Sequence, residues 1–306
     1  MARSGTVILM LAAAGMLQAG PARAEDQDAV ITLEPSSAWH LDVGEHRCRL
    51  ARKFGEGDSA TLFAIDQWEP SDGAIWMVAG PPVKPFREGR ETAFAFGPDG
   101  DAGTFDLLGM SFETFGNSVQ HFSHFTSAER GEVNPEERDY LADPRSLPVL
   151  DAEGAGGVEW LTLNQRGRPT VKLQFGSLRK PLAALNICMA NLVERWGFDP
   201  EEERRVVSPP IVLNMKKVVD EVVKRYPFSA VNRGAQADFH IRLTVSAEGG
   251  IENCVLLNQT VSDNFDLDDH PCAVFKRHAQ FEPARDVDGN PVRTYYTNRI
   301  VYRVSR

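Results

Sequence analysis

The stretch FKRHAQFEPARDVDGNPVRTYYTNRIVYRV, residues 275–304, decides how the chain is read. Its first residues close a helix, Pro283 and the run Asp288-Gly289-Asn290-Pro291 turn a corner, and a long strand follows. Within that strand Val292, Thr294, Tyr296, Ile300, Tyr302 and Val304 face one way, while Arg293, Tyr295, Thr297, Arg299, Val301 and Arg303 face the other. A strand of this kind needs a sheet to lie in, and the preceding residues supply one. In ADFHIRLTVSAEGGIENCVLL (237–257), Ala237, Phe239, Ile241, Leu243 and Val245 alternate with polar residues, the pattern of a strand buried on one face. Ala247-Glu248-Gly249-Gly250 turns it into a second strand from Ile251 to Leu257.

Helices flank this hairpin. NMKKVVDEVVKRYP (214–227) puts Met215, Val218, Val219, Val222 and Val223 on one helical face and stops at Tyr226-Pro227. A second helix is expected from a cap near Asp268-Asp269, with Pro271 in its first turn and Cys272, Val274 and Phe275 leading to Arg277. The positions Tyr226-Pro227, then Ile241, Leu243, Val245 and Gly249, then Arg277, Phe281, Pro283 and Ala284, and last Gly289-Asn290-Pro291-Val292 fall in the order seen in one family. Residues 214–306 resemble the C-terminal domain of TonB and its relatives, the TonB/TolA C-terminal superfamily.

The resemblance implies a small α+β domain that binds partners and does not transform substrates. In that family the terminal strand can accept an extended segment of an outer-membrane transporter, adding a strand to an open sheet edge. The residues it nominates for partner binding are Arg293, Tyr295, Thr297, Arg299, Tyr226 and Pro227. The partner expected is an envelope protein or peptide, a TonB-dependent outer-membrane transporter among the candidates, with self-association through the same edge as an alternative. The competing reading makes Arg293, Arg299 and Arg303 the solvated face of a strand paired on both sides. The chain also departs from the family: it has no long Pro-rich linker, Ala237 stands where a glycine usually opens the first strand, and two cysteines fall inside the module.

Residues 1–24, MARSGTVILMLAAAGMLQAGPARA, place Arg3 before an apolar run from Val7 to about Leu17 and end on Ala22-Arg23-Ala24. The run is shorter than the roughly 20 residues of a membrane-spanning helix, so the expectation is a secretory signal cleaved after Ala24 and a periplasmic protein not integral to a membrane. An uncleaved segment would make the chain a membrane-anchored transducer. Export agrees with four cysteines, an even number without a CxxC. Three pairings can be drawn; the positions favour Cys48 with Cys188 and Cys254 with Cys272.

The formal charge is −10; residues 1–24 carry +2 and residues 214–306 carry +1, which leaves −13 on residues 25–213. So acidic a region repels phosphate, which argues against nucleic acid as a partner. Residues 25–198 are expected to form an acidic β-rich domain. CRLARKF (48–54), ATLFAIDQW (60–68), AIWMVAG (74–80), TAFAFG (92–97), MSFETFG (110–116) and VEWLTLN (158–164) read as short strands of a β-sandwich, and 165–175 as the second arm of a hairpin. SAERGEVNPEERDYLADPRSLPVLDAEGAGG (127–157) reads as a long loop. KPLAALNICMANLVERWGFDP is expected to close the sandwich as a helix, with Cys188 on its apolar face between Leu185 and Leu192, where Cys48 can meet it. DPEEERRVVSPP and the residues to 213 read as a linker (199–213). The overall expectation is α+β: a β-sandwich-like domain closed by a helix, then the TonB-like module. This N-terminal half is similar to periplasmic proteins of the invasion-associated locus B type.

Candidate chemistry is sparse. His121 and His124 have a His-x-x-His spacing but no third ligand nearby in sequence, and helix capping explains DNFDLDDH (263–270) better than an EF-hand does. Cys48 beside His46 is read as a disulfide cysteine before an activated thiol. No Gly-x-Ser-x-Gly, Walker loop or dinucleotide fingerprint is present. No catalytic residue, metal or cofactor is therefore expected; the rival reading is a small-molecule or metal-binding protein whose C-terminal module is structural.

Overall fold

A computed structural model describes residues 29–107, 110–112, 115–126, 149–233, 237–261 and 271–302. The expectations placed on residues 1–24, on most of the 127–157 loop, on 263–270 and on Arg303 lie outside the described residues.

The N-terminal half is a two-sheet sandwich. One sheet is ordered β2 (His40–Val43), β3 (Cys48–Phe54), β4 (Thr61–Gln67), β5 (Ala74–Ala79), β9 (Gly116–Ser123) and β8 (Met110–Phe112). The other is ordered β1 (Val30–Leu33), β11 (Thr170–Gln174), β10 (Val158–Gln165), β6 (Glu91–Pro98) and β7 (Ala102–Asp106). Every residue of β4 and β5 is buried, as their near-continuous apolar runs require. Trp76 anchors the core: its ring lies 5.6 Å from Phe94 and 5.8 Å from Phe96 across the sandwich, and its Nε1 donates to Ser123 Oγ at 2.9 Å.

Helix α1 (Arg179–Arg195) closes the sandwich beside β3, laying Leu182, Leu185, Cys188, Met189 and Leu192 into the same core. Its spacing puts Cys188 over the first residue of β3, where it is bridged to Cys48. The Cys254–Cys272 bridge is also formed.

The stretch read as a linker is structured. Asp199 caps α2 (Pro200–Arg204) by accepting from Glu201 N at 2.8 Å. Two short strands follow, β12 (Val206–Ser208) and β13 (Ile211–Val212), and both pair with strands near the chain's end. The C-terminal half continues with α3 (Met215–Val223), α4 (Phe228–Arg233), β14 (Ala237–Val245), β15 (Ile251–Val261) and α5 (Pro271–His278). It ends with β16 (Phe281–Glu282), β17 (Ala284–Asp286), β18 (Pro291–Val292) and β19 (Thr294–Tyr302). β14 is the middle strand of a three-stranded antiparallel sheet between β15 and β19. Its Phe239, Ile241, Leu243 and Val245 pack with Val218 and Val222 of α3 and Val274 and Phe275 of α5.

Gly249 makes the β14–β15 turn at φ +81°, and a Cβ there would stand 2.5 Å from the Phe281 carbonyl oxygen. Gly249→Ala is expected to cost about 2 kcal/mol, from left-handed backbone strain plus this clash, read as a lowered denaturant midpoint. An unchanged midpoint would contradict the turn geometry.

Candidate functional site

β19 is an edge strand. It pairs with β14 from Val245↔Thr294 to Ala237↔Tyr302, and among the described residues no strand pairs along its other side. A nine-residue edge presents a row of backbone donors and acceptors to an incoming strand.

The face of the sheet turned away from the helices is covered. His240, Arg242 and Thr244, the polar face of β14 in the sequence pattern, are only 9, 6 and 9 % exposed, because the sandwich packs over them. Trp68 lies 5.3 Å from His240, and Arg242 Cζ sits 3.7 Å from the centroid of Trp196.

The residues nominated for partner binding divide accordingly. Tyr295 is lodged between Trp196 and Phe198, at 5.7 and 5.5 Å. Thr297 Oγ1 hydrogen-bonds the Glu69 carboxyl group. Arg293 donates to Glu252 Oε2 at 2.8 Å and to the Gly197 carbonyl at 3.4 Å, with its guanidinium over Phe198. Tyr226 packs on Tyr302 at 5.0 Å, inside the C-terminal half, and the Pro227 carbonyl accepts from Ala230 N as α4 begins. Arg299 is exposed on the strand's outward stretch, near enough to help hold the pKa of His121 down, after the larger effect of that ring's burial. The nominated set is thus split among the contact between the halves, the interior of the C-terminal half and the outer part of β19.

Two carboxyl groups meet β19, Glu69 across the contact between the halves and Glu203 on the opposite face of the strand. Glu69 meets Thr297, and Glu203 of α2 lies with its Oε2 2.5 Å from Thr294 Oγ1. Burial pushes both up to about 7; for Glu203 the Thr294 hydrogen bond and Arg293 oppose that rise in part. Burial also raises the Tyr295 phenol and lowers Arg242 to about 10. Arg242 Nη1 and Trp196 Nε1 are buried with no hydrogen-bond partner among the described residues. Beside this contact is a cavity of about 300 Å³, walled by Trp68, Glu69, Ile75 and Phe122 on one side and His240, Leu257 and Thr297 to Arg299 on the other.

The two histidines are engaged separately. His121 stacks on Phe105 at 4.2 Å, and His124 Nε2 lies 3.3 Å from Asp72 Oδ1. Among the described residues no group of three His, Cys, Asp or Glu side chains is arranged to hold a metal ion, and no helix is long and apolar enough to cross a membrane.

Sequence reasoning missed Glu69, Glu203, Trp68 and Phe198 as contact residues. A signal for Phe198 was present: with Trp196 it puts two aromatic rings around the Gly197 that ends α1, more apolar surface than that helix end can bury by itself.

No curated protein and no solved structure matches the chain. Residues 222–304 match the family described as Gram-negative bacterial TonB protein C-terminal. The matched span runs from the end of α3 to just past β19, so the three-stranded sheet with its α5 cover is a TonB C-terminal-like domain.

Proposed function

We propose that the protein is an exported binding protein of the cell envelope, not an enzyme, and that it docks a protein or peptide partner by adding the partner's strand to β19. The observation that carries this reading is the side of β19, in a TonB C-terminal-like sheet, along which no strand pairs among the described residues. Backbone hydrogen bonds supply the affinity, and the outward stretch with Arg299 and Val301 supplies the selectivity. A TonB-dependent outer-membrane transporter is the first partner to seek. The leader-like first 24 residues and the two disulfides support a periplasmic location.

Site-specific photo-crosslinking in intact cells tests this. A benzophenone side chain at Arg299 or Val301 is expected to give an adduct with an envelope protein, and one at Ile187, exposed on α1, is not. Adducts of equal yield at all three positions, or none at 299 and 301, would sink the reading. The cavity beside β14 favours one rival, a small-molecule binder; that rival expects a ligand-dependent rise in melting temperature abolished by Trp68→Ala.

A further inference from the structure

We propose that the cavity between the sandwich and the TonB C-terminal-like sheet is a binding site for a small organic amine, whose ammonium group Glu69 takes while its apolar body lies against Trp68, Ile75, Phe122 and Leu257. The site stands apart from strand addition: an occupant of the cavity makes no use of the backbone edge of β19.

Strand periodicity builds the walls. Ile75 of β5 is paired with Phe122 of β9, and beside them Trp76 is paired with His121. Trp76 and His121 join the aromatic cluster inside the sandwich, so Ile75 and Phe122 point out of it, toward the second sheet. Gly73 makes room for the outward ring, since a Cβ there would stand 2.6 Å from Phe122 Cζ. Across the gap, the β14–β15 pairing shifts register between His240 and Ile241, which leaves Leu257 unpaired between Leu256 and Asn258. That bulge turns Leu257 to the cavity, while Leu256 packs with the core on the helix side. Phe122 is 45 % exposed and Arg299 is exposed too, so the cavity has its mouth at these residues. Its volume of about 300 Å³ is at the small end for ligand sites and suits one ring on a short stem.

The polar groups of the wall select a cation. Asp66 already takes Nε and Nη2 of Arg49 at 2.6 Å and has Arg47 at 3.8 Å. His240 lies against Trp68 and, like Arg299, is engaged. Glu69 lines the same cavity, is only half-buried, and accepts a hydrogen bond from the Thr297 hydroxyl, with no ion-pair partner among the described residues. Arg242 of β14 is stacked on Trp196 at 3.7 Å, outside the cavity wall. A hydroxyl cannot neutralise a carboxylate, whereas an ammonium group does so through a charge-assisted hydrogen bond and is further held by the faces of nearby aromatic rings. An anion would meet Glu69 and Asp66, and a neutral ligand would leave Glu69 without its counter-charge.

The test is calorimetric titration of the full chain with phenethylamine and with phenethyl alcohol, which keeps the ring and puts a neutral hydroxyl in place of the ammonium group. At pH about 8, Glu69, which burial raises to about 7, is mostly ionised and the amine still carries its proton. The amine is expected to bind at least about tenfold more tightly than the alcohol. Glu69→Gln keeps the Thr297 contact and should bring the two to about equal affinity. Ile75→Phe fills the cavity from the sandwich side and should remove binding of both, which decides the matter if Glu69→Gln does not fold. Equal affinities in the wild type, no saturable binding of the amine below about 10 mM, a preference that survives Glu69→Gln or binding that survives Ile75→Phe would overturn the site. N-acetyl-lysine methylamide offers the same ammonium group on a protein side chain, and tighter binding than phenethylamine would overturn the assignment to a free amine. No titration here involves an envelope partner, whereas crosslinking at β19 does, so failure of the site and failure of strand addition are seen separately.

Discussion

Replacing Cys48 and Cys188 together by alanine is expected to lower stability by about 5 kcal/mol. The two residues are 140 apart, so their bridge closes most of the N-terminal half into one loop, and the unfolded chain regains that loop's freedom when the bridge is lost. Both sites are buried, Cys48 at 0 % exposure and Cys188 at 4 %, so alanine is the proper replacement; serine would add the cost of an unsatisfied hydroxyl. The bridge also pins α1 on β3, so the variant should expose the apolar stripe of α1 before the sandwich unfolds. The second bridge spans only 18 residues, and its removal is expected to cost about 3 kcal/mol by the same reasoning. Urea unfolding of both alanine pairs measures the contrast. Equal losses would show that loop closure does not set the effect.

Tyr295→Ala is expected to cost about 3 kcal/mol, concentrated in the contact between the two halves. The ring fills the space between Trp196 and Phe198, and its loss leaves Arg242 stacked on a Trp196 with nothing behind it. Each half keeps its own core, the aromatic cluster around Trp76 in one and Phe239, Ile241 and Phe275 in the other, so calorimetry should resolve two transitions where a single one is expected for the wild type. Tyr295→Phe should remain close to wild type, since the aromatic packing persists and the buried hydroxyl is removed. A single unshifted transition in Tyr295→Ala would mean that the halves are not held together through this residue. Tyr295 is thus unsuited to a clean test of partner binding, whereas Val301, 38 % exposed, can be changed with little effect on stability.

Much of this was legible in local pattern. The alternation Ala237 to Val245 and Thr294 to Tyr302 marks two strands, the spacing of Leu182, Leu185, Cys188 and Leu192 marks α1 and favours one cysteine pairing among three, and Gly249 marks a hairpin. Each of these signals has the period of a single element, and the family resemblance has the same local character. The stretch 199–213 was misread because charge and two prolines look alike in a linker and in short edge pairings; β12 and β13 pair with β17 and β16, some 70 to 80 residues later.

What the sequence determined by itself was which face of each strand is apolar and where the chain turns. It could not determine that the polar face of β14 is also buried, since His240, Arg242 and Thr244 read as solvated until the sandwich is laid over them. Glu69 and Thr297 stand 228 positions apart and Glu203 and Thr294 stand 91 apart, and nothing in the local period of either member announces the other. Only the docking of one half on the other brings Glu69 out of water, and only the packing of α2 on β19 does so for Glu203. Burial, unlike helix or strand periodicity, is a property of the whole fold.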